Sequence, residues 1–311
     1  MTNITAITPP PSDAAGTYGD IDAVLEGLQT VRRQWRAANW RNAEHGAVGF
    51  PSRHDLKKVI ESLVGALFPL RLGPSFVRVH NEDAFVDQTL RTALSRIFGQ
   101  IRLELAYARR GADGGADADE VDREAARIID GFAEALPAIR AQLDLDVEAA
   151  FRADPAAQSV DEVLICYPSI WAIIYYRLAH KLHRLGVPLV ARIITEAAHS
   201  KTGIDIHPAA AIGSGIFIDH GTGLVIGETA VIGDKVRLHQ AVTLGAPADG
   251  GQRGDPRHPV LEDDVVVYPG ATLLGRITIG RGSIIGGNVW LTESVPAGSV
   301  VEQGAIVRRV R

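Results

Sequence analysis

From Ile206 onward, an aliphatic residue recurs at every sixth position. Ile206, Ile212, Ile218 and Leu224 form one series, and after a two-residue slip Ile226, Ile232, Leu238 and Leu244 form the next. Past a polar stretch, Leu261, Val267, Leu273, Ile279, Ile285 and Leu291 continue without a miss. An α-helix turns once in about 3.6 residues, so positions six apart fall on different faces and the pattern excludes a helix. A triangular coil accommodates it. Each hexad supplies a short strand and a corner, with its aliphatic residue pointing into a prism. Three hexads complete a rung, and stacked rungs bury a continuous core. The glycines and small residues between the aliphatics suit tight corners.

The chain upstream has a different period. Residues 1–20, rich in Pro, Ser, Ala and Gly, read as a flexible tail, and 21–200 read as a helical domain. Ser52 with Asp55 has the form of an N-cap, followed by Leu56, Val59, Ile60, Leu63, Val64 and Leu67 at the spacing of one helical face. Leu90, Leu94, Ile97, Ile101 and Leu105 repeat that spacing, as do Val121, Ala125, Ile128, Ile129, Phe132 and Leu136. Between these two runs, the Gly/Asp-rich stretch 111–119 predicts a break. A helix after Pro168 ends at Gly186 and Pro188, and a last one runs to about Ser200.

Composition removes several function classes. A net charge of −5 argues against general nucleic-acid binding, which needs a basic surface to meet phosphate. The one cysteine, Cys166, excludes an internal disulfide and fits a reducing compartment; its place in the apolar run VLICY predicts a buried structural thiol. The first twenty residues have neither a basic start nor an apolar core, so no signal peptide is expected. No apolar run is long enough to cross a bilayer, and the expected location is cytoplasmic.

The repeat breaks twice, and each break carries a histidine beside a charged residue. The slip near Leu224 follows Asp219-His220-Gly221, and the polar loop 245–260 carries Arg257-His258. Here the chain resembles a known family. The run DIHPAAAIGSGIFIDHGTGLVIGETAVIGD (205–234) is similar to the serine acetyltransferase signature within the hexapeptide-repeat acyltransferases, and VTLGAP (242–247) and DPRHP (255–259) match its next two blocks. Upstream, DPAAQSVDEVLICYPSIWAIIYYRLAHKL (154–182) resembles the last helical segment of the family's N-terminal domain. The resemblance covers about residues 150–305. It implies an α+β multidomain chain: a helical N-terminal domain followed, over 201–311, by a left-handed parallel β-helix with an extruded loop at 245–260.

The implied reaction moves acetyl from acetyl-CoA to the hydroxyl of L-serine, the first step from serine towards cysteine. Such a transfer needs a base for the hydroxyl proton, donors for the developing oxyanion, and groups that hold an amine and a carboxylate. The resemblance makes His220 the base, an imidazole being suited to work near neutral pH, with Asp205 as its paired carboxylate. It makes Arg257 the clamp on the substrate carboxylate and His258 a support for substrate and transition-state charge. Asp154 and Asp219 match the aspartates around the substrate's amino end, although Asp154 before Pro155 reads equally well as a helix cap. Gly245, Ala246, Gly270 and Gly287 match positions that line the acetyl-CoA groove. His180, His183, His207 and His239 read as structural, and no metal is expected.

Three other readings use the same repeat. A metal enzyme of the γ-carbonic-anhydrase kind needs a close set of histidines, and His207, His220, His239 and His258 offer none by spacing. A hexapeptide acetyltransferase for homoserine or a sugar stays open, since homoserine differs from serine by one methylene. A non-catalytic trimeric scaffold would not need His220, Asp205, Arg257 and His258 together.

The family's well-known members carry a tail beyond the prism whose terminal isoleucine docks into cysteine synthase. Here the sequence closes on GAIVRRVR, so such docking is expected to be weak or absent. Feedback by L-cysteine is expected to survive through competition for the serine site. Arg308, Arg309 and Arg311 read either as holders of the CoA phosphates or as a solvated basic end. The resemblance further implies a homotrimer, with a hexamer through the helical region as the larger alternative.

Overall fold

A computed structural model of the chain describes residues 21–38, 49–109, 117–247 and 254–304, with the backbone of 308–309. The expected tail at 1–20, most of the break at 111–119, the middle of the loop 245–260, and Arg311 lie outside the described residues. The chain divides into two compact units, 1–49 and 50–311. Of the first, helix α1 (Ile21–Ala38) is described; Ile21, Val24, Leu25, Leu28, Val31 and Trp35 form an apolar stripe along it.

The second unit begins with α2 (Arg53–Leu67), where Ser52 Oγ accepts the Asp55 N–H at 3.2 Å as the cap predicts. There follow α3 (Pro69–Leu72), a 3-10 turn at Val79–Asn81, α4 (Glu82–Ala108) and α5 (Ala118–Ala153). Asp117 caps α5, so the break ends two residues before its expected boundary, and the helix continues through Pro137. Then come α6 (Val160–Cys166), α7 (Pro168–Arg184) and α8 (Pro188–Thr202), the last closed by Gly203 in the left-handed conformation. The expectation of a buried Cys166 is corrected. The short helix α6 buries Val163 and Leu164 and leaves Cys166 exposed.

The β-helix has three faces of parallel strands. Face one holds β1 (Asp205–Ile206), β4 (Val225–Ile226), β7 (Thr243–Gly245), β10 (Thr272–Leu274) and β13 (Trp290–Leu291). Face two holds β2 (Ala211–Ile212), β5 (Val231–Ile232), β8 (Val260–Leu261) and β11 (Thr278–Ile279). Face three holds β3 (Phe217–Asp219), β6 (Arg237–His239), β9 (Val266–Val267), β12 (Ile284–Ile285) and β14 (Ser299–Val301), with β15 (Arg308–Arg309) added antiparallel to β14.

The register stacks each hexad position on its own kind: Ile206 on Ile226, Ile226 on Leu244, Leu244 on Leu273 and Leu273 on Leu291. These residues are buried except Leu291 in the last rung, which is half-buried. A second inward row precedes the first by two residues and includes Ile204, Ala210, Ile216, Ala230, Val236 and Val242. Leu224 belongs to this row rather than to the first series, which explains the slip. Ile206 to Ile226 is a rung of twenty residues and Ile226 to Leu244 one of eighteen, so two residues are inserted at the corner before β4.

The helices pack directly on the first rung. Arg177 of α7 makes two bonds to the Asp146 carboxylate of α5 (2.6 and 2.8 Å) and donates to Gly213 O at 2.8 Å, while Asp146 also accepts the Ile216 N–H. Tyr176 donates to Ala210 O at 2.6 Å.

Candidate active site

The two insertions lie at different edges of face one. His220 occupies the corner between β3 and β4; Arg257 and His258 precede β8, at the corner reached from β7.

At the first edge, the single left-handed residue of each regular corner forms a row: Gly203, Gly223, Ala241, Gly270 and Asn288. His220 stands outside that row. Its φ of 56° arises from the inserted turn, which Gly221 (φ 87°) completes where any Cβ would strike Ile204 and Ile218. The result is an imidazole 77% exposed, with Nε2 3.7 Å from Asp219 Oδ1.

Asp219 is itself held by Arg237 at 2.5 Å and faces His239 Nε2 at 3.5 Å. His239 donates from Nδ1 to Val267 O and stacks on Tyr268 with ring centroids 4.9 Å apart. Asp154, at the end of α5, joins this edge by accepting from Tyr167 Oη at 2.5 Å and from Ala156 N–H. The Tyr167 hydrogen bond, then the Ala156 N–H, hold the Asp154 carboxyl below its usual range, with smaller contributions from nearby Arg237 and His220. The same bond pushes the Tyr167 phenol up to about 12.

Asp205 runs beside the inserted corner, its N–H donating to Leu224 O. Its carboxylate gathers with Glu196 and His199 of α8, one ligand atom from each lying within 4.8 Å of the others. Arg192 already pairs with Glu196 at 2.5 Å. Among the described residues, the carboxylate within 4.0 Å of the His220 ring is that of Asp219.

The second edge is organised by Thr229, in the corner between β4 and β5. Its Oγ1 accepts the Arg257 and His258 N–H groups, and its own N–H donates to His258 Nδ1 at 3.1 Å. With Nδ1 accepting, the neutral ring carries its proton on Nε2. Burial first, then the Arg257 charge, lowers the His258 pKa and favours that neutral form. The ring packs where Gly227 leaves space; a Cβ there would fall within 2.1 Å of Nε2. Arg257 pairs with Glu228 at 2.5 Å.

The groove candidates split in the same way. Gly245 and Ala246 lead into the loop at the second edge, whereas Gly270 and Gly287 lie in corners of the first. Along β4, the extended run Leu224–Gly227 separates the edges, four residues at about 3.3 Å each giving roughly 13 Å. The sequence did not single out Tyr167, Arg237, Glu228 or Thr229. Their only signal was a place one rung, or one helix end, from a residue already chosen.

Residues 258–293 match the family model described as bacterial transferase hexapeptide (six repeats). The chain is 53% identical over 264 residues to a plasmid serine acetyltransferase of Synechococcus elongatus, covering 82% of each chain. It is 47% identical over 156 residues to a Mycobacterium tuberculosis serine acetyltransferase, covering 50% of this chain and 67% of that one. Among solved structures, it is similar to Entamoeba histolytica serine acetyltransferase isoform 3 in complex with cysteine (TM-score 0.69, 34% identity, 81% of this chain and 83% of that). It is also similar to soybean serine acetyltransferase complexed with serine (TM-score 0.54, 29% identity, 82% and 99%).

Proposed function

The chain belongs to the serine acetyltransferase family, and we propose that its two edges, meeting between neighbouring prisms, transfer acetyl from acetyl-CoA to the hydroxyl of L-serine. The observation that carries the reading is the exposed His220 imidazole on an inserted left-handed corner, beside Asp219 and Asp154.

In this reading His220 removes the serine hydroxyl proton as Oγ attacks the acetyl carbonyl carbon. The tetrahedral intermediate collapses with cleavage of the C–S bond, and the leaving CoA thiolate takes the proton back from the imidazolium. Asp205, in the strand beside that corner, steadies the imidazolium once its carboxylate leaves Glu196 and His199 for the His220 ring. Asp154 and Asp219 face the substrate ammonium. Arg257 turns its guanidinium to the substrate carboxylate, and His258 offers Nε2–H to the developing negative charge.

A serine cannot bridge edges some 13 Å apart on one prism, so the site takes one edge from each of two subunits, in a trimer. Gly245, Ala246, Gly270 and Gly287, split over the same two edges, line the acetyl-CoA groove between them. L-cysteine, bound in the E. histolytica isoform 3 structure, competes for the serine position here. No helix among the described residues is long and apolar enough to cross a membrane, and a cytoplasmic location belongs to the same reading.

The test is release of CoA thiol from acetyl-CoA with L-serine, with L-homoserine and without acceptor. Serine-dependent release that falls about 10²–10⁴-fold in His220→Ala supports both reaction and base. Release with homoserine alone transfers the reading to that acceptor, and unchanged activity in His220→Ala removes the base.

A further inference from the structure

One row of the register on face three reads Phe217, Arg237, Val266, Ile284 and Val300. The row is apolar except for the arginine, so the coil itself asks for no charge at position 237. The guanidinium lies over the Phe217 ring, 5.1 Å from its centroid, and leaves its Nε buried with no hydrogen-bond partner. A covered, unpaired N–H is unfavourable in a folded protein. The other two nitrogens show what the side chain reaches.

Nη2 donates to Asp219 Oδ2 at 2.5 Å, and Nη1 donates to the Ala153 carbonyl at 3.3 Å. Ala153 ends α5, where the last carbonyls of a helix have no partner within it, and the next residue is Asp154. One guanidinium therefore ties the carboxylate at the end of β3 to the helix end that carries the other. With Oδ2 taken, Asp219 keeps Oδ1 towards His220. His239 does not replace the arginine. Its Nδ1 donates to Val267 O, so the neutral ring turns the Nε2 lone pair, not a proton, towards Asp219 Oδ2.

The charges of Asp154 and Asp219 both act on the Tyr167 phenol, which places the two carboxylates in one neighbourhood. Carboxylates that share a site hinder each other's ionisation, and a fixed cation beside them keeps both charged. Two carboxylates and one guanidinium leave a single net negative charge, which matches one ammonium group. We infer that Arg237 is a positioning residue of the amine subsite: it bridges β6 to the end of α5 and so fixes the separation at which Asp154 and Asp219 hold a substrate ammonium between them. The inference rests on the serine reading above. It makes the choice of an α-amino acid depend on a side chain that does not touch the substrate.

L-Glycerate, which carries a hydroxyl in place of the ammonium group, separates this role from general support of the fold. Methionine suits the apolar row, so Arg237→Met should fold. Its dissociation constant for L-serine, read by calorimetry, should rise about 10- to 100-fold, the effect of losing a hydrogen bond to a charged group. Inhibition by L-glycerate and affinity for acetyl-CoA should stay as in wild type. Arg237→Lys keeps the charge but has one ammonium for two acceptors, and should weaken serine by a smaller factor. Unchanged serine affinity in the Met variant would overturn the inference. So would parallel loss of serine, glycerate and acetyl-CoA affinity, which marks a structural role, or a Lys variant equal to wild type, which removes the bridge. A wild-type protein that neither binds L-serine nor acetylates it would instead remove the functional reading, and this inference with it.

Discussion

At the scale of single residues, the first edge depends on a tyrosine the reaction does not need chemically. Tyr167 donates to Asp154 Oδ2, and that bond is the largest cause of the depressed Asp154 pKa. A carboxylate with a lowered pKa stays ionised, and able to hold an ammonium group, further into acid. In Tyr167→Phe the Asp154 pKa should rise towards its ordinary value, so protonation begins at higher pH. The dissociation constant of L-serine, measured by calorimetry between about pH 4 and 6, should then weaken at higher pH in the variant than in wild type. Identical pH dependence would mean that Asp154 does not hold the amine. Residues defined by their own chemistry, such as His220, Arg257 and His258, were legible in the sequence. Tyr167, Arg237 and Thr229 were not, because each matters only through a neighbour that the fold brings to it.

At the scale of elements, the hexad period made the prism legible, since every inward position repeats the same requirement for an aliphatic side chain. What remained hidden was how the helices attach. Asp146 and Arg177 sit among apolar helical positions in the sequence, where a charge gives no hint of its partner. In the fold they are 1% and 3% exposed and tie α5 and α7 to the backbone at Gly213 and Ile216. Removing one member of such a pair strands the other in a medium of low polarity. Arg177→Met should therefore lower stability by about 3–5 kcal/mol, read from the denaturant midpoint. Arg177→Met combined with Asp146→Leu should recover part of the loss. A double variant no better than the single one would locate the cost in the uncapped Gly213 carbonyl and Ile216 N–H rather than in the stranded carboxylate.

At the scale of the whole molecule, the division of the site between two edges makes its most direct prediction. If each site combines His220 of one subunit with Arg257 of its neighbour, each of two inactive variants supplies what the other lacks. His220→Ala and Arg257→Ala proteins are inactive separately in this scheme, and co-assembled in equal amounts they regain activity. Random mixing in a cyclic trimer leaves about a quarter of the sites with both groups intact, so about a quarter of wild-type turnover should return. A site contained within one chain would return none, because every chain in the mixture would still lack one group. The quarter also depends on exchange of subunits. Mixing purified variants without unfolding should restore little if the trimers are stable, and co-expression should restore the full fraction. Zero recovery under co-expression, with mixed trimers verified by mass, would place Arg257 and His220 in a site within one chain and require the 13 Å between the edges to be closed within one prism.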